Sequence, residues 1–371
     1  MPEQIGKVSK SVIYLAGCAV KGEKPDITDI SEDELNTIYR YASAHLLSAA
    51  VATALESAGL KDDRSQKEIA SAVRKSVIFS SEFEKIREKF AEAHIWYMPL
   101  KGAVLKDYYP SIGMRQMADY DILVDSEREE DVRNIMESLG FDTMQYGVSN
   151  HDVYHKAPVL NFEIHTGLFG TVHEAGLYNY YRDIETKLTD KGEYEKCFSP
   201  EDFYIYLTAH EYKHYSGGGT GLRSLLDTYV YLKREELDLE YVERECAKLG
   251  IEEFEKMNRS LALRIFEGEA LSDEEAEKLS YFLSSGVYGS IDHKVENKLK
   301  KTGWSKIKYM IDRFSVPVSK KNPSYAGYAS EYPLFYRHRI LLPALPFYRT
   351  FRSMKKGKFL SEARAIRKAK K

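Results

Sequence analysis

Two aspartates one residue apart, Asp119 and Asp121, stand in the run ADYDILV, and a third acid, Glu163, stands in VLNFEIHTGLF. Both runs alternate, which reads as β-strand. In the first, Asp119 and Asp121 share one face while Tyr120, Ile122 and Val124 share the other. In the second, Asn161, Glu163 and His165 lie opposite Leu160, Phe162 and Ile164. Carboxylates this close repel one another unless a cation or several donors neutralise them. If the two strands are neighbours, the three acids make an all-oxygen site suited to Mg2+. Upstream, Gly102 closes the run IWYMPLKG and opens AVLKDYY, a strand-to-helix turn. Backbone N–H groups and the helix dipole can meet a phosphate there, and Lys101 and Arg115 add positive charge. A lone D-x-D is more often solvated surface, and a glycine after a strand is usually a plain turn. Their combination, in this order, narrows the chemistry.

A second stretch, HEYKHYSGGGT from His210, spells the H-E-x-x-H pattern of zinc proteases. Ser199, Pro200 and Asp202 start a helix there, on which Phe203, Leu207, His210 and His214 form one stripe. Three readings stand: packing histidines with satisfied ring nitrogens, residues beside a nucleotide or acceptor together with Arg223 and Asp227 of the next helix, or zinc ligands. The extended zinc motif needs a third histidine where Thr220 stands, and Thr is a poor zinc ligand. Glu235 lies about where another zinc-protease class supplies a distant glutamate.

The elements that must position these residues fall into four stretches. Residues 1–93 read as helical: an amphipathic helix near the start, then one opening on the Ser31/Glu34 capping box and closing at Gly59, then one over about 66–94. Residues 94–198 read as a small α/β core, in which Ser126 and Glu129 cap a helix carrying Val132, Ile135, Met136 and Leu139 and ending at Gly140. FDTMQYG adds a further candidate strand. Helices return over 199–310, and 311–371 is a Pro/Tyr-rich segment with a basic tail. The expected fold class is α+β, a small mixed sheet flanked by helical regions.

With 371 residues, 43% hydrophobic and 30% charged, the chain has ample material for a buried core. The formal charge of −3 implies no overall polyanion-binding character. From Pro333 to Lys371, however, twelve Lys/Arg face one acidic residue. The functional readings of that tail are a polyanion or acidic partner, or weak contact with a membrane surface. No apolar run reaches transmembrane length. The LAGC box ending at Cys18 follows too short an apolar segment to read as a signal. Three scattered cysteines, Cys18, Cys197 and Cys246, suit a reducing cytoplasm.

MPLKGAVLKDYYPSIGMRQMADYDILV followed by NFEIHTGL resembles the polymerase-β-like nucleotidyltransferase superfamily. It is most similar to the bacterial family known as uncharacterised nucleotidyltransferase, whose pattern is L-K-G, then R-x-M-x-D-x-D, then E-I-H. The resemblance is strongest from Pro99 to Leu168 and extends over AHEYKH and GLRSLLD. It implies that Asp119 and Asp121 hold two Mg2+ ions, that Glu163 completes the metal site and helps activate the attacking hydroxyl, and that Gly102 forms the phosphate turn. Lys101, Arg115, His165, His210, His214, Arg223 and Asp227 become nucleotide- or acceptor-binding candidates. Where the superfamily usually follows the glycine with Ser or Gly, Ala103 stands here, so Lys101 or Arg115 must compensate for a lost hydroxyl. The implied reaction transfers an NMP, most commonly AMP from ATP, to a hydroxyl of an acceptor and releases pyrophosphate. The alternatives are a catalytically silent nucleotide- or partner-binding protein of the same fold, a toxin–antitoxin component, and the zinc protease.

Overall fold

A computed structural model describes residues 6–60, 62–170, 175–287, 289–301, 303, 305–320, 322, 325–355 and 358–369. The chain begins with α1 (Lys7–Lys21), α2 (Glu32–Ala44), α3 (Ser48–Ser57) and the long α4 (Asp63–Glu92). Ser31 and Glu34 form the capping box of α2, but the expected single helix to Gly59 is broken. Leu46 takes a positive φ of 54°, and His45 turns its ring toward the amide of Leu222 (N–H to Nδ1, 3.1 Å). A tertiary hydrogen bond thus ends a helix that local sequence would have continued.

The α/β part runs β1 (Tyr97–Pro99), a single turn α5 (Gly102–Leu105), β2 (Tyr120–Val124), α6 (Glu129–Ser138), β3 (Asp142–Gln145), β4 (His151–Lys156), β5 (Leu160–His165), α7 (Ala175–Tyr181) and the short pair β6 (Thr189–Asp190) and β7 (Lys196–Cys197). Ser126 does not cap α6: Asp125 accepts from Glu127 N–H and caps a 3-10 turn, Ser126–Arg128, that leads into α6, whose own first turn has no side-chain cap. The main sheet has the order β1-β2-β5-β4-β3. It is mixed: β2 and β5 are parallel, and the other pairs are antiparallel. β4 is hard to see in sequence because its inward residues are Asp152 and Tyr154.

Alternation gives each sheet face its own neighbours. Tyr120, Ile122, Val124, Phe162 and Ile164 pack against Phe79, Phe83 and Ile86 of α4 and Val132 and Met136 of α6. Full burial of each such side chain contributes about 1.5–3 kcal/mol. On the other face Leu123 packs with Leu168, Phe169 and Tyr206. That second face is roofed by α8 (Pro200–Gly217), followed by α9 (Leu222–Leu232), α10 (Leu239–Leu249), α11 (Glu252–Glu267) and α12 (Asp273–Ser285). The two helical stretches flanking the sheet share one core: Val12, Leu15, Ile38 and Leu55 pack with Leu225, Leu226, Leu261 and Phe282. The chain ends with α13 (Ile291–Lys301), α14 (Lys306–Phe314), α15 (Tyr325–Glu331), α16 (Pro333–Arg337), α17 (Leu345–Lys355) and α18 (Lys358–Lys368). Among the described residues no helix is long and apolar enough to cross a membrane.

Candidate active site

Parallel pairing of β2 with β5 sets Asp121 directly beside Glu163 in register. Both project from the face that α8 roofs, and a cavity of about 350 Å3 opens over them. Asp119, Asp121, Glu163 and His165 line it from the sheet, and His210 and His214 from α8. Lys101, Gly102, Arg115, Arg223 and Asp227 reach the same cavity from the turn before α5, the connection into β2, and α9. The fold therefore gathers every metal-, nucleotide- and acceptor-site candidate of the transferase reading into one cavity. Three titratable lining residues escaped that reading. His151 lies opposite His165 across the β4–β5 pair, and Glu211 and Lys213 belong to α8. For Glu211 the signal existed, because it is the glutamate of H-E-x-x-H.

Asp121 is the best-connected acid. Its Oδ1 accepts from Lys101 Nζ at 2.7 Å and faces His165 Nε2 at 2.9 Å. Burial alone would raise its pKa, but the charge of Lys101 and the hydrogen bond from His165 hold it well below the usual carboxylate range. Burial in turn keeps His165 neutral. Its Nε2–H then donates to Asp121, leaving Nδ1 a buried acceptor with no partner. Glu163 lacks such help. Burial, and after it the charges of Asp121 and Asp119, push it up to about 7. Asp119 is likewise raised by burial and then by Asp121.

Ligand atoms of Asp121, Glu163 and His165 lie within 4.8 Å of one another, the one such group of three among the described residues. Of the expected metal set of Asp119, Asp121 and Glu163, this cluster includes Asp121 and Glu163. Asp119 precedes the first strand residue, Tyr120, and its carboxylate stands outside the cluster, though on the same cavity. A carboxyl that burial, and after it two neighbouring acids, drives toward protonation is chemically suited to a divalent cation, which offsets both the lost solvation and the repulsion. The oxygen donors fit Mg2+; His165, a poorer Mg2+ ligand, serves by orienting Asp121.

The phosphate turn differs from expectation in two respects. α5 is one turn, Gly102–Leu105, so little helix dipole is available. Arg115 is committed elsewhere: its Nε and Nη2 donate to the two carboxylate oxygens of Asp227, each at 2.8 Å, and Tyr109 Oη adds a third bond to Asp227 at 2.7 Å. Arg115 instead supports the turn from beneath, since a Cβ on Gly102 would fall 2.3 Å from its Nη1. Lys101 sits in the turn itself with φ 45° and ψ −114°, a conformation costing a non-glycine residue on the order of 1–3 kcal/mol. Ala103 N–H closes the turn on Leu100 O at 3.0 Å. The buried pair with Asp121 holds that strained geometry in place.

On α8, His210 and His214 face each other with Nε2 atoms 3.2 Å apart. Burial holds His210 well below its ordinary value, so it is neutral near pH 7, whereas His214 is exposed to solvent. No third ligand joins them among the described residues. Glu211 turns instead to Asn258, which donates to its Oε2 at 2.9 Å, and Glu235 accepts from Tyr108 Oη at 2.6 Å. The zinc-protease reading therefore falls: its catalytic glutamate and distant ligand are engaged elsewhere. Arg223 donates through Nη1 to Gln116 O at 3.0 Å, which aims the guanidinium at the carboxylate end of the cavity.

Comparison with family models matches residues 31–267 to the family described as uncharacterised nucleotidyltransferase. No curated protein and no solved structure matches the chain.

Proposed function

Because this chain belongs to the uncharacterised nucleotidyltransferase family, we propose that it uses Mg2+ to move AMP from ATP to a hydroxyl of an acceptor, with release of pyrophosphate. Transfer of a nucleotidyl group follows from the family itself. The observation that carries the finer reading is the register pairing of Asp121 with Glu163, with Asp119 on the same cavity. Bound divalent cations would neutralise phosphate charge and polarise the reacting oxygens. Asp121 and Glu163 would hold them, Asp119 would add charge from the mouth of β2, and His165 fixes the rotamer of Asp121. Lys101 and Arg223 supply positive charge beside the phosphates. Glu163 is placed to accept the proton of the acceptor hydroxyl. The acceptor oxygen then bonds to the α-phosphorus as the bond to the bridging oxygen breaks, and that electron pair leaves with pyrophosphate. The cavity wall of α8 and α9, with His210, His214 and Asp227, faces the acceptor side in this reading. Free cysteines, two of them buried, agree with a cytoplasmic setting.

The test is incorporation of label from each α-labelled NTP, tried in turn with and without Mg2+, into an extract. Label should appear with ATP and Mg2+ and vanish with Asp121→Asn, whose folded state is checked by circular dichroism. Equal incorporation by wild type and Asp121→Asn would remove the site as assigned.

A further inference from the structure

The C-terminal region beyond the family match presents an apolar surface that the fold does not cover. On α17, Phe347, Phe351 and Met354 follow at helical spacing and are 72%, 56% and 55% exposed. Ile340, 89% exposed, and Leu341 stand on the 3-10 turn just before α17, and Leu334 stands on α16. These residues are not spare core. The local core beneath them is already filled by Tyr332, Tyr336, Leu342 and Leu345, and Tyr348 closes it by packing on Tyr332 and Phe335. The outward stripe contributes nothing to that packing.

The charge along the stripe is mostly positive, although Arg352 pairs with Glu331 at 3.2 Å. From Pro333 to Lys355 there are five Lys/Arg and no carboxylate. Arg337, Arg339 and Lys355 are exposed. Arg349 and Arg352 lie over the rings of Tyr328 and Tyr332. Two copies meeting through this face would set cations against cations, which argues against a self-association surface. Phe347 and Phe351 could stack on bases, but Ile340, Leu341 and Leu334 occupy much of the face and offer no ring, which weighs against single-stranded nucleic acid. Bulky apolar groups rimmed by exposed arginine and lysine match the boundary of an anionic bilayer, with acyl chains for the stripe and headgroups for the rim.

We propose that the α16–α17 face docks this protein on an anionic membrane surface, inserting Phe347, Phe351 and Ile340 among the lipids while Arg337, Arg339 and Lys355 engage headgroups. The chain lies on the surface and does not span it. This goes beyond the transfer reaction and stands apart from it, since vesicle binding can be measured without activity.

The test is sedimentation of the full chain with phosphatidylcholine vesicles, with and without phosphatidylglycerol. Binding should require phosphatidylglycerol and weaken as salt rises. Phe347→Asp with Phe351→Asp should lose at least roughly tenfold in partitioning, because an inserted aromatic cannot be replaced by a solvated charge. Arg337→Gln with Arg339→Gln should lose roughly fivefold for each cation removed. All four positions point outward, so melting temperatures should stay at the wild-type value. The proposal is overturned by absence of binding to anionic vesicles, by binding indifferent to the phenylalanine changes, or by equal binding to pure phosphatidylcholine. A dimer that those changes dissolve, or RNA binding without vesicle binding, would equally assign the face to another partner.

Discussion

Lys101 Nζ lies 2.7 Å from Asp121 Oδ1, the acid buried and the lysine largely so. The ammonium stands where positive charge is most needed and forms an internal counter-ion for the acid cluster. A divalent ion binding at Asp121 must share or displace it. Lys101→Met removes the counter-ion and leaves Asp121, Asp119 and Glu163 to repel one another. Breaking a buried pair in this way costs about 3–5 kcal/mol, which urea unfolding in EDTA should register. Mg2+ should restore part of the loss, so its stabilising effect is larger on the variant than on wild type. Equal Mg2+ effects on the two proteins would show that the cation does not meet Asp121.

Gly102→Ala tests the support beneath the turn. The added methyl would fall 2.3 Å from Arg115 Nη1. An arginine tip normally swings aside, but this one is fixed by two bonds to Asp227 and is buried. The turn must therefore move. Overpacking of this kind costs about 1–3 kcal/mol. Nucleotidyl transfer should fall further than stability alone explains, by roughly 100-fold for a displacement near 1 Å. Transfer rate measured at a temperature where both proteins are folded separates the two effects.

Asp227→Asn keeps the shape of the residue and removes its charge. Arg115 is then a buried guanidinium without a counter-ion, and Tyr109 Oη keeps only a neutral acceptor. The expected loss is about 3–5 kcal/mol in chemical denaturation. Asp227→Asn combined with Arg115→Met should be less harmful than the sum of the single changes, because no unpaired charge remains. Additive losses would mean that the pair is not coupled.

His45 gives a pH dependence of known sign. Its Nδ1 accepts the Leu222 N–H at 3.1 Å, so protonation must break that bond. Burial lowers its pKa from 6.5 to about 4, against a hydrogen bond to the Leu283 backbone. Between those values the unfolded chain binds the proton and the folded chain does not. Stability contributed by neutral His45 is therefore complete above about pH 6.5 and is lost as pH falls toward 4. The full loss is on the order of 3 kcal/mol. His151, also held down to about 4 mainly by burial, adds to the same fall. Comparing wild type with His45→Gln isolates the share of His45: the variant should show a shallower decline in melting temperature over this window. Parallel declines would assign the effect to the other histidines.

Alternation in the two strand segments settled which face each acid takes, since side chains in a strand point to opposite sides at every step. Tyr120 and Ile122 entering one core while Asp121 stays on the other face was legible for that reason. The capping box at Ser31 and the Ser199 start of α8 were legible because caps are local chemistry. Other features have no local cause. Whether Glu163 stands beside Asp121 depends on two strands about forty residues apart pairing parallel and in register. The break at His45 depends on an amide 177 residues away. The commitment of Arg115 to Asp227 and the strained turn at Lys101 likewise arise only when distant elements meet. Sequence alone therefore determined the kinds of groups present and the faces they take, because periodicity and capping act over a few residues. The tertiary structure alone decided which of them touch, which charges cancel and which stay uncompensated, because those interactions fall off within a few ångströms whatever the separation along the chain.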